Sequence, residues 1–407
     1  MNTVKNKFKG NLKQYSMLIA LVVIIVFFNI LTQGRLLKPM NVSNIVFQNA
    51  YVVILAVGML LCILTGGNID LAVGSVVALV SAFAGQFIIV WHWNVYLSVV
   101  LCLLIGVLVG AWQGFWIAYV RIPAFIVTLS GMLVFRGFTL LVLNGMTLAP
   151  FPDTYLQFST GFIAKEAKMM FLGMNLNIVC LITGIAVALI FCVIQILNTR
   201  SRKRKGYETD SALTLAIKLV VISAALIWFF ALLAQYQGIP SVLVILGILL
   251  IVYTFFTTKT VAGRHIYAIG GNEKAARLSG VKTNRLLFFA YVNMGFLAAV
   301  GGLVFAARLN SASPVTGSGF ELDAIGACYI GGASAYGGIG TVGGTLIGAL
   351  IMGVLNNGMS IMGISSNTQQ VVKGLVLLGA VAFDVISKMN LSIFSRRKKT
   401  AVLRTEE

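Results

Sequence analysis

The interval Gly263–Arg285, GRHIYAIGGNEKAARLSGVKTNR, is the longest polar stretch of the sequence with the marks of a folded unit. Apolar runs border it on both sides, at Ser241–Thr257 and at Leu286–Ala307. Within it, Asn272 can cap a helix N-terminus, an acid follows in the first turn, and Gly280 can end the helix. The pattern predicts a helix of about two turns, NEKAARLSG, with a polar and basic exterior.

The charges of this interval favour the cytoplasmic side of a membrane. Across Lys259–Arg285, one acid, Glu273, stands against six basic residues: Lys259, Arg264, Lys274, Arg277, Lys282 and Arg285. An excess of this kind between two membrane spans marks a cytoplasmic loop. Two interpretations stay open, a solvated connector and a docking element for a cytoplasmic partner. The cap and the glycine favour docking, because a disordered connector needs neither of them.

The composition excludes a soluble protein. Apolar residues make up 59% of 407 positions and charged residues 10%, whereas about a quarter of a soluble chain is charged. The net charge of +19 then reflects basic cytoplasmic loops rather than binding to nucleic acid. The five cysteines lie in apolar runs without CxxC spacing, and neither histidine has plausible metal partners, so the sequence predicts no disulfide framework and no metal site.

Apolar runs long enough to cross about 30 Å of hydrocarbon occur eleven times. They are Met17–Leu31, Ile45–Leu64, Leu71–Val90, Val95–Tyr119, Pro123–Leu143, Asn175–Leu197, Ser211–Ala234, Ser241–Thr257, Leu286–Ala307, Val342–Met362 and Gln369–Ile386. The lysines before Met17 and the basic stretch Ser395–Lys399 place both termini in the cytoplasm, which requires an even number of crossings. The glycine-rich interval Leu322–Gly340 is therefore predicted as a twelfth, irregular crossing, buried in protein or lining a wet path.

The fold class predicted is an all-α polytopic membrane protein that forms one permease domain over residues 1–407. Both Thr65–Ser75 (TGGNIDLAVGS) and Gly331–Thr345 (GGASAYGGIGTVGGT) lead into a helix of small residues. They suggest inverted-repeat halves over residues 45–143 and 286–387. Residues 175–234 form a predicted inserted hairpin whose basic turn, Thr199–Gly206, is cytoplasmic, and residues 259–285 form the cytoplasmic loop.

The sequence offers no chemistry for catalysis. It contains no GxxxxGK[ST] phosphate-binding loop and no nucleophile with a base, so the protein is expected not to be an enzyme. Ion coupling usually needs ionisable side chains in mid-membrane. Here they are expected near the span ends, with Asp70, Lys218 and Asp384 toward the inner face and Arg136, Arg308, Glu321, Asp323 and Lys373 toward the outer face. A proton relay is accordingly not predicted.

Uncharged polar side chains within the spans could hydrogen-bond a passing solute. The candidates for lining a path are Gln48, Asn49, Asn293, Ser334, Asn356 and Asn357. For any one of them the alternative is a hydrogen bond that links neighbouring helices.

Three strings carry a resemblance to a known family: GR-I-YAIGGNE-AARLSGV, TGGNIDLAVGS and ELDAIGACYIGGASAYGGIGTVGGTLIGALIMGVLNNG. They resemble the permease subunits of monosaccharide ABC importers of the ribose, xylose and arabinose/galactose group, closest in character to the xylose and multiple-monosaccharide permeases. The resemblance implies a type II-like ABC importer fold in which the short helix inserts into a cleft of the ATPase. The coupling residues implied are Gly263, Arg264, Gly270, Gly271, Asn272, Glu273, Ala275, Ala276, Arg277 and Gly280.

The same resemblance implies partners. They are a second copy of the permease, a cytoplasmic tandem ATPase, an extracytoplasmic sugar-binding protein and the lipid bilayer of a bacterial cytoplasmic membrane. ATP and Mg would be used by the ATPase, and no cofactor is expected on this chain. Pentoses and hexoses such as xylose, arabinose and galactose all stay open as substrates. A self-contained ion-coupled sugar transporter is the alternative, and a passive channel is a third class.

Overall fold

The computed structural model describes residues 2–171, 174–207 and 211–403, and most of these residues are helical. Apolar runs favour helices because a helix satisfies its backbone polar groups within its own segment, as hydrocarbon requires. The helices are α1 (Asn2–Leu31), α2 (Pro39–Leu64), α3 (Val73–Gly85, continued by a π-helical turn Gln86–Val90), α4 (Val95–Ala118), α5 (Ala124–Leu143), α6 (Asp153–Thr160), α7 (Ile178–Arg204), α8 (Ala212–Ala234), α9 (Ser241–Lys259), α10 (Val261–Gly271), α11 (Glu273–Leu278), α12 (Thr283–Leu309), α13 (Phe320–Ile330), α14 (Val342–Ile361) and α15 (Ser366–Leu403).

In the described residues, four short strands lie in the connections around α6, α7 and α8. They are β1 (Phe162–Ile163), β2 (Lys168–Phe171), β3 (Met174–Asn177) and β4 (Ile239–Pro240). β1 pairs with β4 and β2 pairs with β3, both antiparallel. The first pair ties the start of α9 to the connection after α6, so the inserted hairpin α7–α8 is closed at its base.

Nine helices of the described part are long and apolar enough to cross a membrane: α2, α3 with its π-helical turn, α4, α5, α7, α8, α9, α12 and α14. The predicted all-α polytopic class is confirmed. Of the other predicted crossings, α1 has a shorter apolar part, Met17–Leu31, and α13 has 11 residues. The basic stretches before Met17 and at Ser395–Lys399 lie outside the residues whose side chains are described.

The core is organised around two antiparallel helices, α2 and α12. Cys62 Sγ contacts the Ala290 carbonyl oxygen at 3.7 Å near one end of the pair. Toward the other end, a Cβ built on Gly301 would lie 3.0 Å from Leu55 Cδ2. Glycine and alanine at this seam let the two backbones approach closely, as is typical of helix packing in membranes.

Each of these long helices is accompanied by a short helix from the other half of the chain. α3 runs beside the second half of α12, where Ser81 Oγ donates to the Gly302 carbonyl at 3.1 Å. α13 runs beside the second half of α2, where Cys328 Sγ donates to the Ala56 carbonyl at 3.2 Å. An irregular segment precedes each short helix, residues 65–72 before α3 and residues 310–319 before α13. The inverted-repeat division stays a prediction, but both halves contain this broken crossing.

The predicted glycine-rich crossing differs from the structure in its extent. Leu322–Ile330 is helical, within α13, and the irregular backbone begins at Gly331. The crossing is completed by the segment before α13 rather than by the glycines after it. Those glycines form a loop at the end of α2, where the Gly338 N–H donates to the Leu64 carbonyl at 3.1 Å. The expected position of this loop beside a mid-membrane path is therefore corrected to one end of the core.

Candidate functional site

The polar interval of the sequence folds into two short helices. α10 starts after Thr260, whose Oγ1 accepts a hydrogen bond from the Gly263 N–H at 3.0 Å. α11 starts after Asn272, whose Oδ1 accepts from the Ala275 N–H at 3.0 Å, and Gly280 ends the segment with a φ of +84°. The helix predicted from NEKAARLSG is therefore present. α10 is an addition that the sequence pattern did not indicate.

Glu273 binds α11 to the turn between α4 and α5. Its Oε1 lies 2.8 Å from Arg121 Nη1 and 2.9 Å from Arg277 Nη2, and Arg121 also donates to Asn284 Oδ1 on α12. Partial burial acts to raise the pKa of Glu273, but the hydrogen bond and charge of Arg121 outweigh it and hold that pKa below its ordinary value. Because the pKa is lowered, the ion pair persists at neutral pH and is lost only as the pH falls through that lowered pKa.

α11 presents one bulky apolar side chain to solvent. Leu278 is 90% exposed, the largest fraction among the exposed large hydrophobic side chains of the described residues. Ala276 faces the opposite way and is buried, while Lys274 and Arg277 are exposed beside it. An exposed apolar group within a polar rim is typical of a protein interaction site. α11 thus presents an exposed leucine with exposed basic side chains beside it.

The C-terminal end of α10 lies against the ends of two core segments. A Cβ built on Gly270 would lie 2.0 Å from the Leu64 carbonyl oxygen and 2.2 Å from the Gly338 nitrogen, so only glycine permits this approach. Nearby, the Tyr267 hydroxyl donates to the Gly340 carbonyl at 2.8 Å. A displacement of α10 would therefore reach the end of α2 and the loop after α13 directly.

The predicted coupling residues form one continuous surface with a buried and an exposed side. Gly263 is buried against α9, where a Cβ would lie 2.2 Å from the Phe256 carbonyl oxygen. Gly270, Glu273 and Ala276 also make internal contacts. The exposed members are Arg264, Gly271, Asn272, Ala275, Arg277 and Gly280. Their role in coupling stays a prediction.

The amide side chains predicted to line a path join α2 to α14. Asn357 Nδ2 donates to Gln48 Oε1 at 3.0 Å, and Asn41 Nδ2 donates to Asn357 Oδ1 at 2.8 Å. Asn49 Nδ2 donates to the Ala349 carbonyl at 2.8 Å between the same two helices. These contacts match the alternative interpretation, hydrogen bonds that link helices.

The other path candidates lie apart from that cluster. Asn293 Oδ1 on α12 accepts from the Tyr253 hydroxyl of α9. Ser334 is buried in the loop after α13, where its Oγ accepts from the Tyr336 N–H at 3.2 Å. Asn356 is half-buried on α14. The structure therefore does not bring the candidates together in one place, and a lining role for any of them stays a prediction.

Two ionisable side chains that were expected near the span ends form a buried pair. Asp323 is 1% exposed, and it accepts a hydrogen bond from the hydroxyl of Tyr51, halfway along α2, at 2.8 Å. Lys373 Nζ lies 2.9 Å from Asp323 Oδ1. Asp70, expected beside a cytoplasmic turn, is also buried, and its Oδ1 accepts from the Ala72 N–H at 2.8 Å. The side chain of Asp384 lies outside the described residues.

Sequence reasoning missed four residues of these sites. Arg121 could have been noticed as a charge in the short turn between two apolar runs, and Leu278 as the bulky apolar residue within NEKAARLSG. Tyr51 and Tyr267 give no such signal, because their importance depends on which helices become neighbours.

Comparisons with known proteins agree with a transport role. Residues 41–381 match the family described as branched-chain amino acid transport system / permease component. The xylose transport system permease protein XylH of Haemophilus influenzae is 38% identical over 381 residues, covering 94% of this chain and 98% of the relative. XylH of Escherichia coli K12 is 37% identical, covering 93% of both chains.

The ribose import permease protein RbsC of Escherichia coli K12 is 35% identical over 376 residues, covering 92% of this chain and 95% of the relative. No solved structure matches the chain. The family match spans the core from α2 to α15, including the coupling surface and both broken crossings. The chain therefore belongs to this family of transport-system permease components.

Proposed function

We propose that the protein is the membrane-spanning subunit of an ATP-driven importer that moves a monosaccharide into the cytoplasm, with a pentose such as xylose as the first candidate. The observation that carries the proposal is the direct backbone contact between the coupling surface and the core. Gly270 of α10 touches both Leu64 and Gly338. A permease driven by a separate ATPase needs a link of this kind, and the relatives named for xylose and ribose support the sugar class.

The proposal includes partners that complete the importer. A second copy of the chain would form the other half of the permease, and a tandem ATPase would bind at α11 and use ATP and Mg. An extracytoplasmic binding protein would deliver the sugar to the opposite face. The chain itself would bind no cofactor and catalyse no reaction. It would lie in a bacterial cytoplasmic membrane with both termini inside.

Coupling would start at Leu278. With its exposed side chain in a cleft of the ATPase, α11 would follow the movement that nucleotide binding and hydrolysis cause there. The ion pair of Glu273 with Arg121 would carry this movement to the turn between α4 and α5. The contacts of Gly270 would carry it to the ends of α2 and of the loop after α13.

Uptake by the reconstituted complex tests the proposal. We expect proteoliposomes with the permease, the ATPase and the binding protein to accumulate radiolabelled xylose or another of the candidate sugars when ATP is supplied. Failure with every pentose and hexose offered would refute the sugar class.

Two variants test the docking surface. Leu278→Ala should weaken binding of the ATPase by at least about 30-fold, the cost of about 2 kcal/mol typical of an interface anchor. The double substitution Glu273→Ala with Gly280→Ala should uncouple uptake from ATP hydrolysis while the protein still inserts. The matched control is Leu213→Ala, which removes another leucine that is 72% exposed, at the start of α8. Normal uptake by Leu278→Ala and by the double variant would exclude docking at α11.

A second candidate, ion-coupled transport, is favoured by one observation, the buried pair of Asp323 and Lys373. It predicts sugar accumulation driven by a proton or sodium gradient without the ATPase. Proteoliposomes that contain the permease alone, with each gradient imposed in turn, separate the two candidates.

The orientation in the membrane needs its own test. A cysteine at Lys165, in the connection after α6, should react with an impermeant reagent added from outside. A cysteine at Lys203, at the end of α7, should not react. Labelling of Lys203 alone, or of both positions, would overturn the proposed orientation of the chain.

A further inference from the structure

The first turn of α13 lies inside the helix bundle, halfway along α2. Tyr51 is twelve residues after the start of α2 at Pro39, which places it about 18 Å along a helix of 26 residues. Its hydroxyl donates to Asp323 Oδ2 at 2.8 Å. The contact between Cys328 and Ala56 shows that α13 continues from there toward the far end of α2. The N-terminus of α13 therefore sits inside the helix bundle, halfway along α2 and beside Phe305 of α12, whose ring lies 4.8 Å from that of Phe320.

Two cations from different helices hold this N-terminus. Arg136 of α5 donates from Nη1 to the carbonyl oxygens of Pro314 at 2.8 Å and Thr316 at 2.6 Å, in the irregular segment before α13. Lys373 of α15 lies 2.9 and 3.2 Å from the two carboxylate oxygens of Asp323. Charges at this depth are expensive and are retained for function rather than for stability.

Beside these contacts the structure has an open polar face at the same depth. Ser318 is exposed, and Glu321 and Arg136 are partly exposed, with opposite charges near enough to attract each other. Thr316 is 4% exposed, and its hydroxyl has no hydrogen-bond partner among the residues described. Lipid cannot satisfy such groups, so water, a solute or protein must cover this face.

We propose that this polar face, formed by Ser318, Glu321 and Arg136, lines the route of the sugar. The inference rests on the proposed import of a monosaccharide and adds the residues that meet it. The Glu321 carboxylate and the Ser318 hydroxyl accept hydrogen bonds from sugar hydroxyls. Arg136 and Lys373 are positioning residues, because they fix the segment and the helix turn that carry those groups. The amide side chains between α2 and α14 hold these two helices together.

Accessibility tests the route. A cysteine at Ser318 should react with a small hydrophilic thiol reagent above the background of the unsubstituted protein, during turnover of the reconstituted complex. The matched control is Phe138→Cys, which lies two residues beyond Arg136 and therefore on the opposite side of α5 at similar depth. Phe138 is also exposed, at 50%, but it should stay inert in lipid. If the Ser318 cysteine is inert in every nucleotide state, or reacts only with an apolar reagent, the proposal is wrong.

Substitution of Glu321 tests the contact with sugar. Glu321→Gln should lower ATP-driven uptake by about tenfold or more, because a hydrogen bond to a charged group is replaced by one to a neutral group. Labelling of the Ser318 cysteine should continue in this variant. Uptake at the normal rate would exclude Glu321 from the route.

A positioning role for Lys373 predicts a different combination of uptake and labelling results. Lys373→Met should lower uptake by about tenfold or more and change the labelling rate of the Ser318 cysteine, since Asp323 loses its counter-ion. Lys373→Arg should keep most of the uptake, and the double variant Asp323→Asn with Lys373→Met should recover part of it. Lys218→Met on α8 is the control for loss of a lysine within a membrane helix. Normal uptake and labelling in Lys373→Met, or no rescue by either partner variant, would overturn the positioning role.

The two proposals fail in distinguishable ways. If the unsubstituted complex carries none of the sugars, the proposed function fails, although the Ser318 cysteine still reports whether the face is wet. If the complex carries a sugar but that cysteine is inert, only the route is wrong. Should Lys373→Met not reach the membrane, labelling at Ser318 decides the proposal alone.

Discussion

The two broken crossings of the core have the same architecture and different chemistry. Each consists of an irregular segment followed by a helix that runs beside the second half of the long helix from the other half of the chain. At the start of α3, the Asp70 carboxylate is satisfied locally by the Ala72 N–H, and the first turns are buried. At the start of α13, Asp323 needs Tyr51 and Lys373 from two other helices.

This difference separates the α3 crossing, which serves as scaffold, from the α13 crossing, which carries the proposed route of the sugar. Backbone contact maintains the shared architecture, since a Cβ built on Gly74 would lie 2.1 Å from the Gly317 carbonyl oxygen. Side chains then distinguish the two crossings: in the described part of the chain, charged side chains from α5 and α15 hold the start of α13. Under the proposed route, the polar groups at the start of α13 meet the solute, while the α3 crossing serves as scaffold.

The largest difference in stability is expected between variants of the two buried aspartates. Asp323→Asn leaves Lys373 without its counter-ion and should cost about 3–5 kcal/mol of stability. Asp70→Asn keeps an oxygen that can accept from the Ala72 N–H and should cost about 1 kcal/mol or less. The midpoint of thermal unfolding in detergent measures both. Equal losses would show that the two crossings are held in the same way.

A smaller difference in stability is expected between alanine variants of Gly74 and Gly317, the two glycines that touch. Gly317→Ala brings both the overlap with Gly74 and the strain of a side chain at a φ of +75°, whereas Gly74→Ala brings overlap with the Gly317 carbonyl and with the flexible Glu321 side chain, but no such strain. The first should be more destabilising by about 1–2 kcal/mol. Gly343→Ala, at a helical position with nothing within 4 Å, is the control and should be neutral or slightly stabilising. The yield of monodisperse protein and the unfolding midpoint decide the order.

Sequence patterns predicted the helices better than the burial of single side chains. Apolar runs located the spans, and Asn272 and Gly280 located α11, because both signals are local. The irregular segment before α13 brings Asp323 into the bundle, and hydropathy does not show that a polar segment enters the core. The pairing of Lys373 with Asp323 was missed for the same reason.

The site was predictable only in part for a related reason. The glycines from Gly331 to Gly340 were expected to unwind the chain, since each disfavours a helix by about 1 kcal/mol, and the backbone there is irregular. The glycines of α14 instead let helices touch: a Cβ built on Gly348 would lie 1.9 Å from the Ala327 carbonyl oxygen. Propensity therefore showed where the backbone unwinds, but not which helices come into contact. Likewise, the pairing of Asn357 with Gln48 depends on which helices are neighbours, and no local pattern shows it.

The smallest expected contrast uses the tyrosines of the two long helices. Tyr51 of α2 donates to the Asp323 carboxylate at 2.8 Å, while Tyr291 of α12 donates to the Ile69 carbonyl at 3.4 Å, in the segment before α3. Tyr51→Phe should cost about 1.5–3 kcal/mol, because a bond to a charged acceptor is lost. Tyr291→Phe removes a longer bond to a neutral acceptor and should cost about 0.5–1 kcal/mol.

The rate of sugar uptake gives a second measurement for the two tyrosine variants. If α13 carries the solute-facing groups, Tyr51→Phe should also slow ATP-driven uptake, because the first turn of α13 loses one of its three anchors. Tyr291→Phe should leave the uptake rate near that of the unsubstituted protein, since the segment before α3 meets no solute. Both rates are measured in proteoliposomes at equal protein content. Equal slowing by the two variants would mean that the halves move and contact the sugar alike, and the assignment of the route to α13 would be lost.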